Sequence, residues 1–316
     1  MQYATSPSVK IRWVKRSPYR SIVAAILGMS VASSPNPIMF TLPQPSGGFR
    51  WVQLAAGPAL VCEALEPFAR HFFTTRAWRL GERTTAAGSG WDEVAAAAGV
   101  GVRQLRRLHQ VHGRDIAIYR RGGALPPDIP KADIVLTDDS ALAIAIQTAD
   151  CVPLLVADSA TGAVAAAHAG WRGLAAGVPA EAVIRMESRF KKDLLVAVGP
   201  AIGACCYEVG DDVRSQFVGG RLPEHTIDRW FHTAPASLPE NPPMPTLANT
   251  RHAGRWFFDM WTCVRDQLED AGVHPDHIFI AGVCTASHET CFCSYRRDGA
   301  IAGRMAAVIR PGPSPR

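Results

Sequence analysis

Short, continuous apolar runs separated by turn residues dominate the centre of the chain. Five of these runs predict β-strands, over residues 132–137, 141–147, 152–157, 163–168 and 194–199. The Gly, Asp and Ser residues that lie between several of them are typical of turns. Because the runs are apolar throughout rather than alternating, we expect these strands to be buried on both faces.

Towards both ends of the chain, apolar residues also recur at helical spacing. This spacing predicts helices over residues 91–98, 175–190, 211–218 and 255–271, the last with Gly272 as its C-cap. Strands are further predicted within residues 49–73, which also hold one short helix, within 105–119 around a turn, and over 277–283. Gly-rich residues 77–90 and Pro-rich residues 219–251 predict loops.

Together these elements predict one mixed α/β domain over residues 45–310, with an extension over 1–44 and a tail over 311–316. Basic residues ahead of the apolar run 21–32 resemble the start of a signal peptide. The run is too short and too interrupted for a membrane span. We favour an unstructured extension, or a true start at an internal Met such as Met29 or Met39.

Composition narrows the class of protein. The chain has 316 residues, of which 47% are hydrophobic, so it is long enough to bury a sizeable core. Its formal net charge of +5 comes from scattered basic residues rather than a long basic block. Aromatic residues do not interleave with Arg or Lys as a stacking platform would require. We therefore expect a small-molecule enzyme, with neither a nucleic-acid nor a membrane partner.

The chain contains eight cysteines. It is too long for a small disulfide-stapled fold, so reduced thiols and a cytoplasmic location are expected. Cys205 and Cys206 are adjacent, and the spacing of Cys284, Cys291 and Cys293 matches no common zinc module. Buried core thiols are the favoured interpretation of these five residues.

Three short motifs place metal-ligand side chains at the ends of predicted strands. They are Gln110-Val-His-Gly113, Thr148-Ala-Asp-Cys-Val-Pro153 and His168-Ala-Gly-Trp-Arg-Gly173. Two His and one Cys match a catalytic zinc with an open fourth position, where bound water has a pKa of about 7. Taken one by one, each His also fits a structural histidine, and Cys151 fits a plain buried thiol.

The order of these and other motifs resembles the YfiH family, also called laccase-domain proteins or peptidoglycan editing factor. The further motifs are His71-Phe-Phe-Thr-Thr-Arg76, Gly199-Pro-Ala-Ile-Gly-Ala-Cys-Cys-Tyr-Glu-Val-Gly210, Ser294-Tyr-Arg-Arg-Asp-Gly299 and Gly303-Arg304. The match covers about residues 60–309. The resemblance implies a single-domain α/β sandwich, with helices outside packed β-sheets.

The resemblance also implies a function. It makes His112, Cys151 and His168 zinc ligands, and it implies phosphorolysis of adenosine, inosine and methylthioadenosine together with deamination of adenosine. Arg76 is followed by Ala77-Trp-Arg-Leu-Gly81, whereas the family usually has Gly-Gly-Val-Ser there. That difference leaves the substrate preference open.

Several residues near these motifs are candidates for binding and proton transfer. Asp150 is the candidate proton shuttle, although an Asp at this position equally fits a turn cap. Arg76 and Arg172 are candidates for phosphate binding, because phosphate is bound by Arg forks, and Arg172 equally fits an ion pair that braces its loop. Tyr207 and Arg296 are candidates for lining or supporting the substrate pocket.

Three other functions compete. Copper oxidation of phenols needs several His-x-His pairs, and the sequence contains none. A cysteine hydrolase that edits cell-wall precursors would use Cys151 as nucleophile beside His112 and His168. A binding module without catalysis would turn over no nucleoside.

Overall fold

A computed structural model describes residues 42–81, 90–186, 193–219, 223–247 and 254–312. The chain divides into a unit of residues 1–44 and a compact unit of residues 45–316, and every element below belongs to the second unit. The predicted extension lies almost wholly outside the described residues, as do residues 82–89 of the predicted loop and 313–316 of the tail.

Fifteen strands lie in the described part of the chain. They are β1 (Phe49–Leu54), β2 (Gly57–Cys62), β3 (Ala69–Thr74), β4 (Leu105–Arg106), β5 (Ile116–Tyr119), β6 (Ile134–Thr137), β7 (Ala143–Thr148), β8 (Val152–Asp158), β9 (Val164–Ala169), β10 (Leu194–Val198), β11 (Glu208–Gly210), β12 (Phe231–His232), β13 (Arg255–Phe258), β14 (Ile278–Ile280) and β15 (Met305–Pro311).

Seven short α-helices accompany these strands in the described part of the chain. They are α1 (Gly90–Ala98), α2 (Trp171–Ala175), α3 (Val178–Arg185), α4 (Asp211–Arg214), α5 (Glu224–Asp228), α6 (Met260–Asp270) and α7 (Tyr295–Asp298). Within the described ranges, no helix is long and apolar enough to cross a membrane.

Two six-stranded sheets form the centre of the fold. Their strand orders are β1-β2-β3-β15-β7-β4 and β14-β10-β8-β9-β6-β5, and a small sheet has the order β11-β13-β12. Val135 of β6 belongs to the apolar cluster that both large sheets share, together with Phe73 and Ile144. Its neighbours Ile134 and Leu136 belong instead to the cluster formed with α3 and α6. The prediction of strands buried on both faces is therefore confirmed.

Helices cover the outer faces of the two sheets. Trp91 and Val94 of α1 pack with Phe72 and Val308 of the first sheet. Val183 of α3 packs with the second sheet. This arrangement is a mixed α/β sandwich with helices outside packed sheets, as predicted.

The predicted helix over 255–271 is wrong in its first third. Residues Arg255–Phe258 form β13, which pairs with β11 and β12, and α6 begins only at Met260. Asp259 is the N-cap of α6, and its carboxylate accepts a hydrogen bond from the Thr262 amide at 3.0 Å. The C-cap is Ala271 rather than the predicted Gly272. Gly272 follows it with φ +92, the left-handed conformation in which glycine commonly ends a helix.

The predicted helix over 175–190 is also interrupted. Gly177 has φ +79, so it ends α2, and Pro179 then occupies the first turn of α3. Residues 187–192 lie outside the described residues. The helix predicted over 211–218 is shorter than expected, because α4 ends at Arg214.

Two further expectations are corrected. The predicted loop over 219–251 contains α5, β12 and a 3-10 turn, with residues 220–222 and 248–251 outside the described residues. The two strands predicted within 105–119 are present as β4 and β5, which enter different sheets. Pro311, assigned to the tail, ends β15, a strand that the sequence analysis missed and that lies between β3 and β7.

Candidate metal centre

The three strand-end motifs meet at one point of the second sheet. Pro153 of β8 pairs with His168 of β9, so Cys151, two residues earlier in the chain, lies beside the end of β9. His112 approaches from the loop before β5. One ligand atom from each of these three residues lies within 4.8 Å of the other two. Together they can hold a metal ion.

A glycine permits this close approach. A Cβ atom at Gly170 would lie 2.9 Å from Cys151 Sγ and 3.2 Å from His112 Cδ2. Any larger residue would therefore push against two of the three candidate ligands. The glycine of the His168-Ala-Gly170 motif is thus a packing requirement of the site.

The buried carboxylate of Asp133 holds both histidines in place. One oxygen lies 2.9 Å from His168 Nδ1, which leaves Nε2 to face the cluster. The same carboxylate accepts hydrogen bonds from the amides of Val111, His112 and Gly113 at 2.7 to 3.1 Å. His112 has φ +61, a conformation that non-glycine residues adopt rarely and mostly where the surroundings enforce it.

Electrostatics stabilises charge on this carboxylate. Burial raises the pKa of Asp133, but the interaction with His168 and the hydrogen bonds from the Gly113 and Val111 amides outweigh it, so the pKa lies below its usual range. An anion next to a ligand histidine fixes the ring orientation and increases its basicity.

Asp150 supports Cys151 in a comparable way. It is buried, has φ +89, and accepts hydrogen bonds from Thr285 Oγ1 at 2.6 Å, Ser294 Oγ at 3.0 Å and the Arg296 amide at 2.6 Å. Burial nevertheless raises its pKa above the usual value. Asp150 therefore ties the Cys151 turn to the C-terminal segment.

The thiol of Cys151 is activated by its neighbours. Burial raises its pKa, but His168 and His112 outweigh this effect and lower the pKa to about 6. Burial lowers the pKa of His168, but Cys151 and Asp133 raise it to about 9. The cluster therefore favours a thiolate, which is the form that binds metal or acts as a nucleophile.

The cluster opens into a cavity of about 530 Å³. Besides the three candidate ligands, its wall is formed by Leu108, His109, Gln110, Gln147, Thr148, Ala149, Tyr295 and Arg304. The Gln110 side chain fixes the first motif to β7. Its Nε2 donates to the Gln147 carbonyl at 2.8 Å, and its Oε1 accepts from the Gln147 amide at 2.7 Å. A cavity of this size suits a small organic molecule.

Four predicted binding residues lie outside this wall. Among the described residues, the arginine in the wall is Arg304, not Arg76, Arg172 or Arg296. Arg76 donates to the Glu289 carbonyl, and the Arg172 guanidinium stacks 4.3 Å from the centre of the Trp171 ring.

Tyr207 and Arg296 contact each other rather than the cavity. The Arg296 guanidinium lies 4.8 Å from the centre of the Tyr207 ring, and it also donates to the Glu208 carbonyl at 2.6 Å. Arg296 reaches the site through its backbone, whose amide binds Asp150. These contacts match the supporting role that the sequence left open for the pair.

The sequence analysis missed Asp133, Gln147, Tyr295 and Arg304. For Asp133 a signal exists in the sequence, because a carboxylate inside the apolar run 132–137 requires buried partners. Tyr295 and Arg304 belong to quoted motifs, but nothing local marks them as wall residues. Only the fold brings them to the cavity.

Comparison with known proteins gives consistent matches. Residues 77–311 match the family described as multi-copper polyphenol oxidoreductase laccase. The chain is 35% identical over 209 residues to "Purine nucleoside phosphorylase YlmD" of Geobacillus stearothermophilus, covering 63% of this chain and 69% of that protein. It is 36% identical over 202 residues to "Purine nucleoside phosphorylase YfiH" of Escherichia coli, covering 64% and 72%.

Solved structures agree with the sequence matches. The crystal structure of the Bacillus licheniformis hypothetical protein YfiH superposes with a TM-score of 0.68 at 26% identity, covering 84% of this chain and 99% of that one. YlmD from Geobacillus stearothermophilus superposes with a TM-score of 0.62 at 28% identity, covering 83% and 99%.

Proposed function

Because this chain belongs to the YfiH family of laccase-domain proteins, we propose that it is a zinc-dependent purine nucleoside phosphorylase. The observation that carries the proposal is the convergence of His112, Cys151 and His168 on the wall of a nucleoside-sized cavity. The names of its relatives supply the reaction class.

The donor set fits zinc. Two imidazoles and one thiolate, with an open side towards the cavity, match a catalytic zinc site, and Asp133 supplies the carboxylate partner that ligand histidines usually have. In the described part of the chain, the other group of potential ligands consists of cysteines alone, without the histidines of a multinuclear copper site.

When bound, zinc supplies Lewis-acid polarisation of an oxygen atom at neutral pH. In phosphorolysis a phosphate oxygen attacks C1′ of the ribose, the glycosidic bond breaks, and the purine leaves with a proton. Arg304 is our candidate for binding the phosphate, because it lies in the cavity wall. Its Nη1 donates to the Ala302 and Gly303 carbonyls, which holds the guanidinium in position. Tyr295, 57% exposed on the wall, offers a face for the purine ring.

We propose adenosine, inosine and methylthioadenosine as substrates, with deamination of adenosine as a second activity. Phosphate binding by Arg76 and Arg172 stays a prediction. Arg304, which lies in the cavity wall, is a further candidate. For Asp150, the three hydrogen-bond donors lie within residues 285–296 and not in its own turn, so they support a bracing role in place of the predicted turn cap. A shuttle needs an oxygen that is free for a proton. A thiol ligand requires a reducing compartment, and we therefore propose the cytoplasm.

One alternative has an observation in its favour. The lowered pKa of Cys151 beside two histidines also fits a cysteine nucleophile in a hydrolase that edits cell-wall precursors. Metal dependence separates the two functions. Stoichiometric zinc that is lost in Cys151→Ala supports the metal site, while full activity in a strong chelator supports the nucleophile.

Incubation of the full chain with adenosine, with and without phosphate, tests the proposed reaction by chromatography. We expect adenine that forms only with phosphate, and inosine in both reactions. If inosine is the sole product, the chain deaminates adenosine and the proposed phosphorolysis is wrong. The absence of both products, with inosine and methylthioadenosine also unconverted, would overturn the proposal.

A further inference from the structure

A second cluster of potential metal ligands lies in the core, outside the catalytic cavity. It consists of Cys205, Cys206 and Cys284, whose sulfur atoms lie within 4.8 Å of one another. Each residue is at most 1% exposed. The two adjacent cysteines that the sequence assigned to the core are therefore buried as expected, but a third sulfur completes a group.

The fold explains how these sulfurs meet. Strands β10 and β14 are parallel neighbours, and the backbone bridge between Ala201 and Cys284 continues their pairing beyond both strands. The chain after β10 then turns at Gly203, whose carbonyl accepts the amides of Cys206 and Tyr207. Carboxyl ends of parallel strands meet at one edge of a sheet, so both segments present their cysteines there.

A backbone amide supports negative charge at one of the three sulfurs. The Gly203 amide donates to Cys284 Sγ at 3.3 Å. Ser287 Oγ lies 3.5 Å from both Cys205 Sγ and Cys206 Sγ. Because its proton goes to the Pro242 carbonyl, it accepts from these two thiols, and metal binding would release their protons.

Three convergent sulfurs are more than a disulfide uses. A disulfide would join two of them, release two protons and two electrons, and leave one thiol over, and an oxidant would have to reach sulfur atoms that are buried. A metal ion can use all three sulfurs at once and can enter while the chain folds.

The number and type of donors select the ion. Structural zinc takes four ligands. Two candidates for a fourth ligand follow Cys284 in the chain and are engaged elsewhere. Ser287 Oγ donates to the Pro242 carbonyl at 2.6 Å, and His288 Nε2 lies 3.3 Å from Asn241 Oδ1. Thiolates select soft cations, and among these Cu(I) accepts a three-coordinate sulfur environment.

We propose that Cys205, Cys206 and Cys284 form a second metal site, which binds one Cu(I) ion through three sulfur atoms. The ion would join the segment after β10 to the segment after β14. Both segments also hold Asp150, through the Ile202 amide at 2.9 Å and Thr285 Oγ1 at 2.6 Å. A filled second site would therefore stiffen the support of the turn that carries Cys151.

The test removes the first site and keeps the full chain. The Cys151→Ala/His168→Ala variant is titrated with Cu(I) under anaerobic conditions against a competing Cu(I) chelator. We expect one tightly bound equivalent, an ultraviolet thiolate-to-copper absorption band, and an X-ray absorption spectrum that shows sulfur neighbours alone.

Two further variants in that background locate the ion. Adding Cys284→Ala should abolish tight binding and the absorption band. Adding Cys62→Ala, which removes another fully buried thiol, should leave both. Near-ultraviolet circular dichroism checks that each variant folds. The X-ray absorption spectrum is recorded on the Cys151→Ala/His168→Ala variant, whose cluster is intact, so this result stands even if Cys284→Ala does not fold.

Failure of the parent variant to bind Cu(I) would overturn the proposal. Nitrogen or oxygen neighbours in the spectrum, or a stoichiometric zinc that Cu(I) cannot displace, would also overturn it. So would equally tight binding after Cys284→Ala. None of these results depends on whether the chain turns over a nucleoside, so they are independent of the proposed function.

Discussion

The molecule holds two groups of three potential metal ligands, and they differ in access. His112 is exposed, Cys151 is half-buried and His168 is buried, so the first group opens into a cavity. The second group, Cys205, Cys206 and Cys284, is buried throughout. Clustered cysteine and histidine therefore do not mark an active site by themselves. A reactive site also needs an open side on which a substrate can approach.

The largest expected effect follows from removing a ligand at the open group. His168→Ala removes an imidazole that Asp133 orients towards the cluster. We expect zinc to be lost and kcat to fall by about 10³-fold or more, because an open zinc site provides the electrophile of the reaction. Metal analysis and phosphorolysis assays measure both quantities.

Cys62→Ala is the matched control for this change. It deletes a fully buried group far from the three candidate ligands in the sequence, and its thiol is in neither group. It should lower stability while zinc content and kcat stay within about twofold, in keeping with independent sites. Zinc retention in His168→Ala would mean that the open group is not the metal site.

The next effect concerns the carboxylate that supports the open group. Asp133→Asn keeps the shape but places an amide where His168 and three backbone amides need an acceptor. We expect zinc affinity to fall about 10- to 100-fold. Competition with a zinc chelator measures the change in affinity.

Asp158→Asn provides the comparison for that variant. Asp158 is also fully buried and accepts hydrogen bonds from the Ala160 amide and Thr161 Oγ1, but it lies at the far end of β8. It should cost about 1–3 kcal/mol of stability and leave zinc affinity unchanged. Equal loss of affinity in both variants would point to general destabilisation instead of ligand positioning.

A smaller effect distinguishes the two roles of Asp150. If Asp150 braces the Cys151 turn, Asp150→Asn lowers zinc affinity by about tenfold and reduces phosphorolysis and deamination together. The ratio of adenine to inosine formed from adenosine then stays constant. A selective loss of inosine would instead establish Asp150 as the proton shuttle. Thr285→Val, which removes one of its three donors, should act in the same direction more weakly.

The smallest expected effect concerns an ion pair outside both groups, His232 with Asp259. It makes the stability of the fold depend on pH. Interaction with the Asp259 carboxylate, 3.8 Å away, raises the pKa of His232 above 6.5. A raised pKa means that the pair stabilises the fold fully below about pH 6.5 and loses this contribution as the pH rises through the folded-state pKa.

Comparison with His232→Gln measures that contribution. Because His232 is 39% exposed, solvent screens the pair. We expect the difference in unfolding free energy at pH 5.5 to be below about 1 kcal/mol, and to vanish near pH 9. A difference that grows with pH would contradict the assignment.

The hydrophobic pattern of the sequence predicted the strands that are buried on both faces. The strands β6 to β10 follow from continuous apolar runs, since both faces of the two large sheets are covered in their region. The pattern failed at Arg255–Phe258, where aromatic residues fit a helix face equally well. Pairing with β11, nearly fifty residues earlier, makes this segment a strand.

The candidate site was predictable in its ligands but not in its support. Cys151 and His168 lie at strand ends next to turn residues, as the sequence predicts. His112 was also predicted at a strand end, but it lies in the loop between β4 and β5. Asp133 acts across 35 residues on His168, and Arg304 reaches the wall from the far end of the chain. Such contacts depend on how the two sheets pack, so local patterns do not contain them.

Zinc titration into metal-free protein tests the central claim most directly. Phosphorolysis of adenosine should be absent at the start, rise linearly with added zinc, and level off at one equivalent bound by the open group. In the Cys284→Ala variant, titrated in parallel, phosphorolysis should level off at the same one equivalent of zinc. Full phosphorolysis by the metal-free protein would contradict the account.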